Sequence, residues 1–328
     1  PLVECIFYWR FSFMDRIMIV DMLNMYYRAY IVDPSLSSNG QPIGGIKGSL
    51  KILQKLCREI KPSKVYICWD GREGSSKRRK TNSNYKEGRK PIRLNRNVRV
   101  LSEEEELKNK IWQQLRLAEY FNNMPISQIM VDYTEADDVI AALCNFHKGE
   151  HKVIVSSDKD FFQLLDDTTV LYRPVQKEVL NKKNIVEKFG IHPRNFALAR
   201  AICGDRSDNL DGIKGAGLKT LAKRFSFLSE DRDYTLAYLR EVCDNAESKL
   251  KIHNDIIENE NLIGKNYKIM QLYTPSISTQ TASIIKNNIK NYPKEFSKTE
   301  IRKMMLEDGF AELNWDTLFA HMNKINRG

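Results

Sequence analysis

The sequence predicts an α/β protein with a central, mostly parallel sheet and a helical region after it, on three observations. RIMIV (16–20), KVYICW (64–69) and KVIVSS (152–157) are short apolar runs set apart by helix-length segments, as buried parallel strands joined by crossovers are. An aspartate follows each run at once: Asp21, Asp70 and Asp158. Beyond LLDDTTVLYRPV the pattern turns helical, with KKNIVEKFG, NFALARAICGD and LKTLAKRF in succession.

A length of 328 residues allows one large or two ordinary domains, and 42% hydrophobic with 29% charged residues describes a globular chain with a real core. The formal net charge of +10 points toward a polyanionic partner, although a merely soluble surface also fits it. Six cysteines, none in a C-x-x-C pair, exclude a zinc ribbon or a disulfide framework and lead us to expect a reducing, cytoplasmic compartment. His147 and His151 have metal-like spacing, but Gly149 breaks any helix between them, so a surface turn is expected there. The opening PLVECIFYWRFSF is interrupted by Arg10 and far short of the ~20 residues of a membrane span, so no membrane association is expected.

Taken in order, residues 1–13 are expected to be an extension outside the fold, and 14–180 the α/β domain. Within it, residues 72–99 hold eleven Lys or Arg against two Glu, a surplus of nine positive charges. So polar a stretch cannot bury itself and should be mobile alone, either as a solvated loop or as an element that grips phosphates. Arg78, Arg79 and Lys80 are its densest cations, and Tyr85 offers a face on which a base could stack. LSEEEELKNKIWQQLRLAEYF then predicts an amphipathic helix capped by Ser102, with glutamates in its first turn, closing a basic region of 72–112. The helical region is expected over 181–328, and its part beyond about 230 carries no chemical motif.

In YTEADDVIAALCNF, Thr134 suits a helix cap with Asp137 in a capping-box-like place, and Val139, Ile140 and Leu143 form the buried face. That accounts for one or two acids, but not for Asp138, nor for Asp158 and Asp160 off a strand end, nor for Asp205 and Asp208 at i, i+3. In open α/β sheets ligands sit beyond the carboxyl ends of the strands, so strand-end aspartates should converge on one rim. Nine acids are candidates: Asp21, Asp70, Glu135, Asp137, Asp138, Asp158, Asp160, Asp205 and Asp208. Gathered together they would demand cations, and oxygen-only ligands favour Mg²⁺ or Mn²⁺. Two such ions suit phosphodiester displacement. In GDRSDNLDGIKGAGLKTLAKRF (204–225), Gly212, Gly215 and Gly217 lead into a basic helix and would expose backbone N–H groups to phosphates, with Lys214 and Lys219 beside them. An ordinary tight turn between helices fits the glycines too.

The ordered motifs IVDMLNMYYRAY, ICWDG, YKEGR, EADDVIA, SSDKDFFQLL and GDRSDNLDGIKGAGLKT resemble the flap endonuclease and 5′-nuclease family, which includes phage 5′ exonucleases and the 5′-nuclease domain of DNA polymerase I, over roughly residues 15–225. The resemblance implies a PIN-like domain with a basic helical arch and a helix-three-turn-helix at 204–225. It implies a nuclease dependent on two Mg²⁺ ions, with Mn²⁺ as substitute, that cuts near 5′ ends, nicks or flaps of DNA, or RNA in hybrids, and leaves 5′ phosphates. By position the nine acids match the family's metal-site carboxylates. Tyr27 matches its base-stacking aromatic, and Lys86 and Arg89 its arch cations beside the scissile phosphate. K⁺ at the hairpin, a monomeric state and replication partners are further implications. Leu221 stands where the family has a small residue, which should weaken duplex affinity. Three rivals remain: a branched-DNA scaffold of the same fold without catalysis, a phosphatase using D-x-D, and a related PIN-like ribonuclease, which shares the acid rim but should lack the glycine hairpin. The second explains neither the basic insertion nor EADD.

Overall fold

The computed structural model of the chain describes residues 15–88, 101–247 and 250–327, so the expectations for residues 1–13 and for Arg89 lie outside the described residues. The three apolar runs form β1 (Arg16–Asp21), β2 (Lys64–Trp69) and β4 (His151–Val155). Three strands the sequence reading did not single out join them: β3 (Ser127–Met130), β5 (Thr169–Arg173) and β6 (Glu178–Leu180). The sheet order is β3-β2-β1-β4-β5-β6, parallel throughout except for β6, which runs antiparallel to β5. The sheet grows outward in both directions from the adjacent pair β1 and β4, the switch point where a doubly wound sheet opens a crevice.

Both faces of the sheet are covered, which is why its central strands read as continuous apolar runs. In β1, Ile17 and Ile19 belong to one apolar cluster and Met18 and Val20 to the other. On the Met18 face lie α1 (Met22–Val32), α2 (Gly44–Ile60) and α4 (Glu103–Asn122). The short α3 (Ser76–Thr81) sits in the basic insertion. On the other face lie α5 (Ala136–Phe146), α6 (Lys182–Phe189), α7 (Pro193–Cys203) and α8 (Leu218–Arg224). The chain continues through α9 (Leu236–Asp244), α10 (Lys251–Glu258), α11 (Glu260–Met270), α12 (Thr279–Lys290), α13 (Lys298–Glu307) and α14 (Asp316–Arg327).

The later helices are built into both cores. Leu239, Ile263 and Ile285 join the cluster that holds Ile17, while Leu318 and Met322 of α14 join the one that holds Leu53 and Leu56 of α2. Gln54 fastens α14 from both ends of its amide, donating to the Asn314 carbonyl and accepting from the Leu318 N–H. Among the described residues no helix is long and apolar enough to cross a membrane.

Ser102 caps α4 through a full capping box with Glu105, as expected, and Glu103–Glu106 fill its first turn. Three local expectations are corrected. Thr134 does not cap α5: its hydroxyl donates to the Asp132 carbonyl, no side chain of the capping residue Glu135 bonds the helix, and the Ala136 N–H is instead met by Asp70 from across the sheet. His147 is buried rather than on a surface turn, with Tyr66 and Glu150 on its two ring nitrogens. The described part of the basic insertion, residues 72–88, is folded and tied down, because its cations meet buried carboxylates and Tyr85 is enclosed by Leu210, Ile269 and Met270.

Candidate active site

Each strand end delivers its acid to the rim in a different way. Asp21 ends β1 and caps α1, accepting from the Asn24 N–H at 3.3 Å and from the Ser156 hydroxyl at 2.8 Å. Asp70 follows β2 and accepts from the Ala136 N–H at 2.7 Å. The next residue must be glycine, since a Cβ on Gly71 would fall 1.8 Å from the Val131 carbonyl oxygen. That close approach pins the end of β2 to the start of α5, where Glu135, Asp137 and Asp138 stand. Beyond β4, Asp158 accepts from the Asp160 N–H at 2.9 Å, and Asp160 opens a 3-10 turn. Asp205 and Asp208 arrive from the loop after α7, with Asp205 accepting from the Ser207 N–H at 2.8 Å.

The electrostatics tie these acids together. Burial, then the charges of Asp70 and Asp158, push Asp21 up to about 7. Burial, then Asp158, Asp205 and Asp208, push Asp160 to about 7 against the pull of Arg200. Burial together with Asp158, Glu135 and Asp21 holds Asp137 well above the carboxylate range despite Lys86. Asp70 is raised first by burial, although part of it stays exposed to solvent. Among the described residues no Lys or Arg forms an ion pair with Asp21, Asp70, Asp137 or Asp158. Four neighbouring carboxylates without a direct ion pair, felt by Lys86, Arg78 and Arg200 only from a distance, are a donor set suited to hard divalent ions.

The other acids are met by the protein. Burial alone would raise Glu135, but Arg78 and Lys86 hold it below its usual value. Arg78 donates to Glu135 and, at 2.9 Å, to Asp138; Lys86 reaches Glu135 at 2.8 Å. Arg200 bridges Asp160 at 3.1 Å and Asp205. Among the described residues no three His, Cys, Asp or Glu groups close on a point that would hold one ion. Asp137, Asp160 and Asp208 nonetheless line one small cavity of about 10 Å³, with Arg78, Tyr85, Ile269, Met270 and Leu272 as its other walls.

Two expected DNA contacts are placed elsewhere. Arg78 is buried against Glu135 and Asp138, so its guanidinium faces the rim and not a surface strand. Tyr85 is buried too, its hydroxyl donating to Glu135 at 3.3 Å, and offers no open ring face in this conformation. Arg79 and Lys80 are exposed. Lys86 holds a left-handed backbone at φ 57°, its N–H donating to the Asp208 carbonyl; strain of this kind gathers at functional positions. Tyr27 is half-buried on α1, its hydroxyl raised first by burial and also by the Asp70 charge. The sequence reading missed Arg200, whose signal was a lone cation in the apolar run ALARAI one turn before Asp205.

The glycine hairpin lies between α7 and α8. A Cβ on Gly212 would fall 2.0 Å from the Cys203 carbonyl oxygen, so two backbones touch there. Gly215 (φ 83°) and Gly217, the capping position of α8, are exposed, as are Lys214 and Lys219. Leu221 is fully buried in the main core, which accommodates the larger side chain from beneath the hairpin.

Comparison with known proteins bears on the family and the fold. A family model described as 5′-3′ exonuclease, N-terminal resolvase-like domain, matches residues 16–190. A 5′-3′ exonuclease of Buchnera aphidicola subsp. Schizaphis graminum is 33% identical over 218 residues, 64% of this chain and 70% of that protein. One of Aquifex aeolicus is 27% identical over 305 residues, 90% of this chain and 95% of that protein. Among solved structures, the bacteriophage T5 D15 flap endonuclease in a complex with DNA and metal ions shares the fold with a TM-score of 0.64 at 18% identity, over 84% of this chain and 98% of that one. Since the family model covers more than half of its length, the chain belongs to the 5′-3′ exonuclease family.

Proposed function

We propose that the chain is a divalent-metal-dependent 5′ nuclease that hydrolyses phosphodiester bonds near 5′ ends or at 5′ flaps of nicked or branched DNA, leaving 5′ phosphates. The observation that carries this reading is the four carboxylates Asp21, Asp70, Asp137 and Asp158, without an ion pair among the described residues and neighbours at the switch-point rim of the sheet, beside cations of the basic insertion. Mg²⁺ held there, with Mn²⁺ as substitute, would supply positive charge to the attacking and leaving oxygens of the phosphodiester. Glu135, Asp138, Asp160, Asp205 and Asp208 surround that set and tune its charge.

The chain's own side chains supply the rest. Lys86 keeps its charge because Glu135 offsets the cost of its burial, and that fixed ammonium suits contact with the scissile phosphate. Tyr27 presents a half-buried ring near Asp70 against which the base at the cut can stack. Lys214, Lys219 and the exposed backbone at Gly215 and Gly217 suit the phosphates of a duplex, with K⁺ at the hairpin. A scaffold that only binds branched DNA would have no use for so many carboxylates crowded at one rim.

The test is a Mg²⁺ titration on 5′-labelled flap, nicked and single-stranded substrates, with an RNA-containing hybrid beside them, reading product lengths. Metal-dependent products carrying 5′ phosphates are expected. Absence of metal-dependent cleavage on every substrate would defeat the reading.

A further inference from the structure

Asn266 is almost wholly buried in the last turns of α11, and its amide donates to two carbonyls on other elements, Ala201 at 3.0 Å and Asp211 at 2.7 Å. Ala201 lies in the final turn of α7, where carbonyls lack helical partners, and Asp211 immediately precedes Gly212 of the hairpin. Two acceptors on one side fix the amide's orientation, since a flipped group would set oxygen against oxygen. Its own Oδ1 is left without a partner, a cost that burial alone would not select at this position.

One turn further on, the C-terminal end of α11 grips the site. The Ile269 carbonyl accepts from Arg78 Nε at 2.9 Å, and Ile269 and Met270 enclose Tyr85. Gln163 spans from the rim to this helix end: its Nε2 donates to the Asp160 carbonyl at 2.8 Å and the Met270 carbonyl at 3.0 Å, and its Oε1 accepts from the Leu272 N–H at 2.7 Å. A few residues on, Ser276 accepts from Lys77 at 2.7 Å through its carbonyl, while its N–H donates to Asp138 at 2.8 Å. One helix and its following loop therefore hold the hairpin, the basic insertion and the carboxylate rim.

We propose that the last turns of α11 are a tie that couples the seating of duplex DNA on the hairpin to the placement of the basic insertion and rim, with Asn266 as the positioning residue that meets the hairpin. The proposal rests on the reading above, in which the hairpin holds duplex. A helix is stiff along its axis, so a load at Asp211 and Gly212 passes through Asn266 to the Ile269 and Met270 carbonyls. From there it reaches Arg78 and Asp160. Duplex beside the cut then speeds cleavage beyond what extra binding provides.

The experiment compares the full-length chain with Asn266→Ala and Asn266→Leu, the second keeping most of the volume should the first unfold. A 5′-labelled flap on duplex and the same single strand alone are cleaved with Mg²⁺, with thermal melting as a check of folding. Hydrogen exchange over residues 76–88 is measured with a blunt duplex in Ca²⁺. We expect the unsubstituted chain to prefer the flap, and the folded variants to lose about tenfold or more of kcat at saturating flap while KM on it and single-strand cleavage stay within about twofold. Duplex should alter exchange over 76–88 in the parent only. An unchanged preference, an equal fall on both substrates, or a loss on the flap confined to KM would overturn the coupling. A parent chain that cleaves neither substrate would instead defeat the functional reading on which the coupling stands.

Discussion

Asp158 and Asp160 divide two roles over three residues. Asp158 is exposed and forms no ion pair among the described residues, whereas Asp160 is shared with Arg200 and raised to about 7 by burial and its neighbours. Asp158→Asn should therefore abolish metal-dependent cleavage, by about a thousandfold or more, while leaving DNA affinity in Ca²⁺ within a few-fold, because a neutral amide of the same shape removes charge and little else. Single-turnover rates beside fluorescence anisotropy would check it, and full activity would show that the site is misplaced. Lys86 makes a second test. Held in a left-handed turn against Glu135, it should slow the chemical step on substitution with Ala, by about a hundredfold, far more than it weakens binding. A variant that only raised KM would place Lys86 in the binding surface instead.

At the scale of elements, what the sequence made legible follows from where each element is buried. β1, β2 and β4 were readable because both of their faces are covered, leaving unbroken apolar runs. β3 is a four-residue edge strand, SQIM, and β6 has three residues, too short to leave a period. The acids could be named but not their bonds: that Asp70 would meet the start of α5 depends on a backbone contact at Gly71 that no local pattern records. Arg78 and Tyr85 were misread for the same reason, since their partners Glu135, Ile269 and Met270 are distant in the chain. The hairpin was legible because its glycines and lysines lie together. Lys219 is exposed beside the start of α8, so Lys219→Ala should weaken duplex binding and reduce the slope of log K against log salt by about one, with the cleavage rate at saturation unchanged. Titrations at three salt concentrations would decide it, and an unaltered slope would remove this lysine from the phosphate contacts.

For the whole molecule, the rim stores a charge conflict that a cation should relieve, and the sign can be worked out. Asp21 titrates at about 7 in the fold against its ordinary 3.8, so between these values the folded chain holds a proton the unfolded chain has released. Stability therefore falls as pH rises through that window, and above it the penalty is fully present. Asp160, also at about 7, acts in the same sense. His147, His151, His192 and His321, all lowered first by burial, act in the opposite sense, since the fold prefers them neutral and gains stability as pH rises through the histidine range. Raw melting curves mix the two, so the informative quantity is the difference between the parent chain and Asp21→Asn. In EDTA that difference should favour the variant more at about pH 8 than at about pH 5, because the amide cannot ionise. Mg²⁺ should raise the melting temperature of the parent more at the higher pH, where no proton must leave before the ion binds, and should raise that of the variant less. A difference that does not change with pH, or a melting temperature indifferent to Mg²⁺, would mean that the carboxylates at the end of β1 and beyond β4 do not share one field.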